Sequence, residues 1–187
     1  MSATLEAAFQ TAVIEYTIVD SPVGRLLIGA TPRGLAAVRL GDSDPQLEAE
    51  LQHDYPGAEV RRDSAPLARS VNALLRHLDG APLALSTGLD VPATPFQRRV
   101  WHALRAIPYG ATSSYGEIAR VGGRPEAARA VARACAANPL ALVTPCHRVI
   151  RGDGEPGGYR WGARRKRLLL EREGAAVRAA ERRGMRA

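Results

Sequence analysis

TPFQRRVWHALRAIPYGATSSYGEIARVGGRPEAARAVARACAA, residues 94–137, is the stretch that decides the fold class. It contains two capping boxes, Thr94 with Gln97 and Ser114 with Glu117, in which a hydroxyl at the N-cap is paired with a side chain that returns to the cap. Prolines and glycine pairs separate the helical runs. The stretch therefore predicts three helices, and the last two, joined by a tight glycine turn, have the outline of a helix-turn-helix.

The third of these helices is predicted from Glu126 to Ala137, with Pro125 at its first position. Arg129 and Arg133 lie one turn apart on its outer face among alanines, and such a surface can approach a nucleic-acid groove closely. Helices rich in alanine and arginine are also common as plain scaffold. Spacing alone therefore leaves both interpretations open.

The first half of the chain predicts a small α/β unit without a cluster of catalytic side chains. Between Ala12 and Leu40, apolar runs alternate with the turn sequences SPVG and TPRG, which predicts a sheet of three antiparallel strands. Helices are predicted after Pro45 and from Pro66 to Asp79.

The proline- and glycine-rich stretch 80–95 predicts a connection between two domains. We expect residues 1–92 to form a structural α/β domain and residues 93–187 to form a mostly helical domain. The final helix is predicted from Ala163 to Glu173, and residues 174–187 are expected to fray or be disordered.

The charge of the chain is distributed unevenly. Residues 1–90 carry 7 Arg against 12 Asp+Glu, net −5, and residues 91–187 carry 19 Arg+Lys against 7 Asp+Glu, net +12. A basic half is typical of a surface that binds a polyanion. Only Lys166 among the 26 basic residues is a lysine.

Composition excludes several classes of protein. The 187 residues are 45% hydrophobic, enough for a folded core. No apolar run approaches the roughly 20 residues that span a bilayer, and no signal-peptide pattern is present, so a cytoplasmic protein is expected. The two cysteines have no metal-ligand spacing, so neither a zinc site nor a disulfide scaffold is expected.

The candidate nucleophile is Cys146, which lies beside His147 in the sequence PCHRV. The preceding apolar run, residues 140–144, predicts a short buried strand. Since neighbours in an extended chain point to opposite faces, His147 is expected to reach the sulfur through a water. A lone cysteine is more often a small buried hydrophobe, and Cys135, in an apolar helix stripe, fits that role.

A glycine-rich loop, residues 152–158, follows and ends in Tyr159-Arg160-Trp161. Glycines let a backbone approach a ligand, and aromatic rings can stack on a flat one. The loop is weak evidence by itself, but it indicates a substrate pocket.

Taken together, these residues resemble the O6-alkylguanine-DNA alkyltransferases, and in particular the alkyltransferase half of the bacterial adaptive-response protein. The similarity extends from about Ile14 to Glu173 and is dense after Thr94. It is carried by Phe96-Gln97, Val100-Trp101, Ile107-Pro108 with Gly110, Ser114-Tyr115, Arg129-Ala130-Val131, Pro145 to Val149, Arg151 to Gly154 and Gly158 to Gly162.

The resemblance implies a ribonuclease-H-like N-terminal domain and a C-terminal domain with a winged-helix-like helix-turn-helix that binds DNA in the minor groove. It implies that Cys146 accepts the alkyl group, that His147 is its base and that Glu173 orients the histidine. Asn138 would tie the recognition helix to the cysteine turn. The implied DNA-binding residues are Arg129, which fills the space of a flipped guanine, Arg133, Ala130, Ser114 and Tyr115; the implied pocket residues are Tyr159, Arg160, Trp161 and Val149.

The implied reaction is direct-reversal repair of double-stranded DNA. A methyl or small alkyl group leaves O6-alkylguanine, or O4-alkylthymine, for the Cys146 thiolate, with Tyr115 assisting the leaving base. Because a thioether is not cleaved at neutral pH, each molecule would act once. No metal or cofactor is expected, the protein is expected to be a monomer, and no counterpart of the adaptive-response protein's zinc-bearing module is expected.

Three alternatives differ in class from this interpretation. A non-catalytic relative that only binds alkylated DNA would lack the acceptor cysteine, whereas Cys146 is present. A Cys-His hydrolase would need an oxyanion hole and would turn over repeatedly. A sequence-specific regulator would distinguish DNA sequences rather than lesions.

Overall fold

The computed structural model describes residues 12–184, with side chains as far as residue 178. Two compact units are present. Within the described residues, the first contains 12–75, Leu83–Ala93 and Pro139–Ala141, and the second contains Arg76–Pro82, Thr94–Asn138 and 142–184. The first unit carries the large sheet and the second is mainly helical, which confirms the expected division into a sheet domain and a helical domain.

The sheet of the first unit has four strands, in the order β3-β2-β1-β4. The predicted meander is confirmed as β1 (Val13–Ser21), β2 (Gly24–Thr31) and β3 (Gly34–Gly41), which pair antiparallel. The expectation of only three strands is wrong, because β4 (Glu59–Arg62) adds to β1 in parallel. Its sequence EVRR has three charged residues in four, so it carries no alternation that would predict a strand.

One face of this sheet is covered by α1 (Asp44–Asp54). Leu47 and Leu51 of the helix are fully buried, and Tyr55 donates its hydroxyl hydrogen to the Ala36 carbonyl oxygen at 2.7 Å. Fully burying an apolar side chain of this size contributes about 1.5–3 kcal/mol. The cluster consists of Ile14, Tyr16, Ile18, Leu27, Ala36, Ala37, Leu47, Leu51 and Tyr55.

The predicted helix before the connection is α2 (Ala68–Leu78). The turn after this helix contains Gly80, whose φ of +97° is the left-handed conformation that glycine adopts without strain. The connection that follows has no regular helix as far as α3.

The second unit is built from short elements around one turn of 3₁₀ helix. These elements are α3 (Pro95–Arg105), β5 (Ser113–Ser114), α4 (Tyr115–Val121), α5 (Ala128–Ala136), the 3₁₀ turn (Cys146–Arg148), β6 (Val149–Ile150) and α6 (Ala163–Gly184). β5 and β6 pair in parallel. None of the helices among residues 12–184 has the length and apolar character needed to cross a membrane.

Both predicted capping boxes are confirmed. The Gln97 amide donates to Thr94 Oγ1 at 3.2 Å, and the Gln97 side chain accepts from the Thr94 amide at 2.9 Å. The same reciprocal pair forms between Ser114 and Glu117, at 3.2 and 2.6 Å. Each box satisfies two donors that the first helical turn would otherwise leave unpaired, so the starts of α3 and α4 are determined locally.

The predicted start of α5 is wrong. The helix begins at Ala128, and its N-cap, Ala127, makes no side-chain capping hydrogen bond. Residues 124–127 instead form a turn that the Ala127 amide closes on the Arg124 carbonyl at 2.9 Å. The fixed φ of Pro125 suits such a turn as well as a first helical position, so the residue type could not distinguish them.

Two further expectations are corrected. Residues 140–144 are buried, but they form a turn in which Leu142 has φ +68°, and only Leu140 makes a single bridge, to Val38. Apolar periodicity cannot distinguish a buried strand from a buried turn. The last helix does not stop at Glu173 but continues to Gly184, as its alanine-rich sequence favours; residues 185–187 lie outside the described part.

Candidate active site

A cavity of about 320 Å³ lies in the second unit, with the Cys146 side chain in its wall. Four elements supply the wall: α4, one face of α5, the 3₁₀ turn that carries Cys146, and the loop that precedes α6. The lining residues are Tyr115, Ala132, Cys135, Ala136, Cys146, Gly158, Tyr159 and Arg160. The cavity is therefore lined largely by apolar surface, and both cysteine side chains of the chain contribute to its wall.

The Cys146 thiol is held by Asn138. The Asn138 Nδ2 donates to the Thr144 carbonyl at 2.8 Å and to Cys146 Sγ at 3.3 Å, and the Asn138 amide donates to the Cys135 carbonyl at 3.2 Å. This asparagine thus ties the end of α5 to the cysteine turn. Burial raises the pKa of Cys146 to about 11, although the Asn138 hydrogen bond and two nearby cations act in the opposite direction. The resting thiol is consequently protonated at neutral pH and needs a base.

The base next to it is a buried imidazole. His147 Nε2 lies 2.8 Å from Glu173 Oε1, and both side chains are almost completely buried. Burial lowers the pKa of His147 below its ordinary 6.5, against the opposing effect of Glu173, so the ring is neutral at pH 7. Its other nitrogen, Nδ1, is buried and makes no hydrogen bond to any described residue. A neutral ring whose Nε2–H donates to Glu173 has Nδ1 free to accept a proton.

Glu173 is fixed by two residues besides the histidine, which direct three N–H donors at it. Arg148 donates to it through Nε at 2.9 Å and Nη2 at 3.0 Å, and the Gly110 amide donates at 2.9 Å. Although burial raises the pKa of Glu173, the hydrogen bonds from His147 and Arg148 lower it to about 2. The carboxylate is therefore ionised throughout the neutral range and fixes the orientation of the imidazole.

The expected extended chain at the nucleophile is wrong, because Cys146–Arg148 is one turn of 3₁₀ helix. A water between the sulfur and His147 is still compatible with the geometry. His147 points its Nε2 toward α6, and no hydrogen bond among the described residues joins its ring to the sulfur. A bridging water between sulfur and Nδ1 stays a prediction.

Two aromatic residues line the cavity, and a third packs behind one of them. Tyr115 and Tyr159 are in its wall, and burial raises the pKa of both phenols, so each keeps its proton. Trp161 is buried and packs edge-on against Tyr159 at 5.1 Å between ring centroids. Of the predicted pocket residues, Tyr159 and Arg160 line the cavity, whereas Trp161 and Val149 do not.

The predicted DNA-binding residues lie on α5 and at the start of α4. Arg129 and Arg133 are exposed and Ala130 is half-buried. Ser114 is the N-cap of α4, where its hydroxyl accepts from the Glu117 amide. The structure thus leaves two arginines of one helix face accessible.

Sequence reasoning missed three residues of this site. Cys135 was assigned to the core, yet it lines the cavity beside Cys146. The role of Arg148 as the partner of Glu173 had no signal beyond its place in PCHRV. Gly110 has φ +78°, and a Cβ there would come within 2.5 Å of Val177, so its glycine is required both by conformation and by the close approach of α6.

Among the described residues, no group of three or more His, Cys, Asp or Glu side chains could hold a metal ion. Separately, the Cys146 thiol, the neutral His147 and the ionised Glu173 have the chemistry of a candidate nucleophile, its base and the group that orients the base. These features place the protein in the class that uses a cysteine side chain as its nucleophile.

Two family profiles match nearly the whole described chain. Residues 14–91 match the 6-O-methylguanine DNA methyltransferase, ribonuclease-like domain, and residues 95–175 match the 6-O-methylguanine DNA methyltransferase, DNA binding domain. The methylated-DNA–protein-cysteine methyltransferase of Mycobacterium tuberculosis is 40% identical over 161 residues, 86% of this chain and 93% of the relative. The chain belongs to this family, which confirms the resemblance inferred from its residues.

Two further kinds of comparison indicate the same family. The bifunctional transcriptional activator/DNA repair enzyme Ada of Escherichia coli is 44% identical over 164 residues, 88% of this chain, but the chain spans only 46% of that relative. The crystal structure of Mycobacterium tuberculosis O6-methylguanine methyltransferase superposes with a TM-score of 0.71 at 38% identity, covering 87% of this chain and 94% of that one. A crystal structure of Mycobacterium tuberculosis OGT in complex with DNA gives the same TM-score.

Proposed function

We propose that this protein repairs DNA by direct reversal, transferring a methyl or small alkyl group from O6-alkylguanine, and from O4-alkylthymine, to its own Cys146. The observation that carries the proposal is the buried Cys146 thiol in a cavity wall, with a neutral His147 oriented by an ionised Glu173 behind it. The family relatives named for this reaction support it.

The chemistry follows from the protonation states. The Cys146 proton passes through a water to His147 Nδ1, and the sulfur attacks the alkyl carbon in line. The S–C bond forms as the C–O6 bond breaks, and the electron pair leaves with the guanine, which Tyr115 stabilises by donating its phenolic hydrogen. The product is a thioether, so the protein is consumed after one transfer. No cofactor enters this balance.

The substrate base must leave the duplex to enter the cavity, at a cost of a few kcal/mol. We propose that α4 and α5 form the helix-turn-helix of a winged-helix-like domain, residues 93–187, that binds the minor groove of double-stranded DNA. Arg129 would occupy the space of the extruded base, and Arg133, Ala130, Ser114 and Tyr115 would contact the backbone. Residues 1–92 would form a ribonuclease-H-like structural domain, in a monomer that acts in the cytoplasm.

The test is a single-turnover reaction on a duplex containing one O6-methylguanine, followed by intact mass. We expect each protein molecule to gain one methyl and then stop, with the modification located on Cys146 and not on Cys135 by peptide fragmentation. The same duplex with guanine should give no gain. Repeated turnover, as from a hydrolase, or an unchanged mass after excess damaged duplex would refute the proposal.

Replacing Arg129 with alanine should slow repair of duplex DNA by roughly tenfold to a hundredfold, since loss of the inserted side chain forfeits part of the few kcal/mol that offset extrusion. Free O6-methylguanine, which needs no extrusion, should react at nearly the original rate. The measurement is the single-turnover rate on both substrates, with Arg105→Ala, an exposed arginine of α3, as the matched control. Equal loss on both substrates would refute the proposed role.

The pH dependence should follow the neutral state of His147. Its pKa is lowered below 6.5, so the rate should hold from pH 8 to 6.5 and fall only at more acidic pH, as the ring takes up a proton. His147→Ala should lose about 10²–10⁴ in rate and should instead gain about tenfold per pH unit toward the thiol pKa of about 11, because the thiolate must then form without a base. Single-turnover rates between pH 5 and 9 check both profiles, and a variant with the original profile would contradict this role.

A further inference from the structure

Tyr109 lies in the short connection between α3 and β5 and does not line the cavity that contains Cys146. Its ring is half-buried and contacts two side chains of the second unit. The Arg148 guanidinium carbon lies 5.4 Å from the centroid of the ring, and the His77 ring packs against it with 5.1 Å between centroids and 71° between planes. Burial raises the pKa of the Tyr109 phenol, so this side chain is uncharged at neutral pH. The tyrosine therefore adjoins the arginine that holds the Glu173 carboxylate.

The edge and the face of the Arg148 guanidinium have different partners. Along the edge, Nε and Nη2 donate to Glu173 at 2.9 and 3.0 Å, and Nη1 donates to the Ile107 carbonyl at 2.8 Å. The face has no hydrogen atoms to donate, and an aromatic ring, whose own face carries partial negative charge, stabilises it. Because Arg148 is only 7% exposed, bulk water compensates little of its charge. The Tyr109 ring thus covers the part of the cation that the hydrogen bonds leave uncovered.

Two backbone groups that flank Tyr109 contact the same ion pair. The Ile107 carbonyl accepts from Arg148, and the Gly110 amide donates to the Glu173 carboxylate at 2.9 Å. Carbonyl, ring and amide lie within four consecutive residues, so the backbone fixes them relative to one another. This short segment therefore holds both members of the pair, and the ring is the part of it that a substitution can remove.

His77, which packs against the tyrosine at a steep angle, is itself fixed. It is buried, and its Nδ1 lies 2.9 Å from the Ala81 carbonyl oxygen, so a neutral ring donates its Nδ1 hydrogen there. Burial lowers the pKa of His77, and the charge of Arg148 acts in the same direction. The contact with Tyr109 is therefore one between two uncharged aromatic rings. Since the histidine is held in place, the tyrosine ring has little freedom to turn away from the guanidinium.

We propose that Tyr109 is a positioning residue of the alkyl-transfer site, which covers the face of the Arg148 guanidinium and so acts on His147 through the buried ion pair. The inference rests on the proposed function and deepens it. With the ring in place, Arg148 keeps its hydrogen bonds to Glu173, and the carboxylate keeps the imidazole hydrogen on Nε2. Without the ring, water competes for the guanidinium and the carboxylate is held less tightly. A fraction of the imidazole then carries its hydrogen on Nδ1, the nitrogen that must be free to accept the thiol proton.

The test is the state of the His147 ring in the full chain without DNA, read from the nitrogen-15 chemical shifts of its two ring nitrogens at neutral pH. A ring nitrogen that carries hydrogen and one that does not have different shifts, so the spectrum gives the fraction of each tautomer. The chain has four histidines, and His147→Ala identifies the signals of this one. A role of Tyr109 in stability alone would leave the tautomer unchanged.

Three variants separate the aromatic face from side-chain bulk. Tyr109→Leu removes the face and keeps an apolar side chain, whereas Tyr109→Phe keeps the face and removes only the hydroxyl. Phe96→Leu is the matched control, because Phe96 is also half-buried and has two arginines, at 6.0 and 5.9 Å from its ring centroid, in a part of α3 that does not contact the ion pair. Thermal melting of each variant shows that it is folded.

We expect Tyr109→Leu to show a mixture of the two His147 tautomers, and Tyr109→Phe and Phe96→Leu to keep the hydrogen on Nε2. On O6-methylguanine duplex at saturating concentration, the single-turnover rate of Tyr109→Leu should fall by up to about thirtyfold, the factor that corresponds to one desolvated cation–π contact. The half-saturating DNA concentration should not change.

A His147 spectrum of Tyr109→Leu that matches the spectrum of Phe96→Leu would overturn the proposal, and so would a tautomer mixture in Tyr109→Phe. If Tyr109→Leu does not fold, Tyr109→Met, whose flexible side chain fills more of the volume, carries the same expectation, and an unchanged spectrum would overturn it. Since the spectra need no lesion, their failure leaves the methyl-transfer experiment intact. Failure of that experiment in turn leaves the tautomer measurement interpretable.

Discussion

Cys146→Ser is expected to abolish alkyl transfer, lowering the rate by more than about 10⁴-fold, the scale on which removal of a catalytic nucleophile acts. A serine hydroxyl is close in size to the thiol, so the cavity and the Asn138 hydrogen bond should persist. It is, however, a far weaker acid, and a neutral imidazole cannot generate enough alkoxide to attack an alkyl carbon. The measurement is intact mass after incubation with excess O6-methylguanine duplex.

The matched control for this loss is Cys135→Ser, which alters the other thiol in the same cavity wall. Burial raises the pKa of Cys135 to about 12, and none of the described imidazoles bonds to it, so we expect this thiol to stay protonated and unreactive. The control should still accept one methyl per molecule. Methylated Cys146→Ser protein, or a Cys135→Ser protein that accepts none, would contradict the assignment of Cys146.

Glu173→Gln should destabilise the protein by about 3–5 kcal/mol, the usual cost of removing one partner from a buried ion pair. Arg148 is 7% exposed and directs two guanidinium nitrogens at this carboxylate, so the variant leaves a buried cation without an anion. The amide would also present a donor toward the Nε2–H of His147 or the guanidinium. Urea unfolding measures the loss.

Glu171→Gln, an exposed carboxylate two residues away on α6, is the control and should change stability by no more than about 0.5 kcal/mol. The pH dependence adds a second readout. Because the pKa of Glu173 falls from 4.5 to about 2 on folding, its contribution is fully present above pH 4.5 and disappears as the pH falls toward 2. Glu173→Gln should lack that loss, and equal stability of the two variants would refute the role of the buried pair.

Much of the candidate site could be predicted from sequence because its elements are encoded locally. The capping boxes at Thr94 and Ser114 need only residues three positions apart, and PCHRV places the thiol beside its imidazole within five residues. Glu173 and Asn138 were available only through the family resemblance. No regular spacing along the sequence links either residue to Cys146.

The errors share one cause, which is that competing local conformations had similar propensities. Pro125 suits a turn as well as a helix start, and residues 140–144 suit a buried turn as well as a strand. EVRR has no alternation of apolar and polar residues, and it is a strand because it pairs with the edge of β1. In each case the partner that decides the conformation lies elsewhere in the chain. Pattern within the segment could not reveal it.

By itself, the sequence determined where most helices begin and the three-stranded meander, because short-range hydrogen bonds and side-chain periodicity specify them. It also made Cys146, within PCHRV, the candidate nucleophile. Only the tertiary structure decided that Cys135 and Tyr115 share a cavity with Cys146, that Arg148 and Gly110 fix Glu173, and that the single lysine is buried against two loop carbonyls. Those contacts join residues far apart in the chain. Burial then changes their protonation, which no local pattern records.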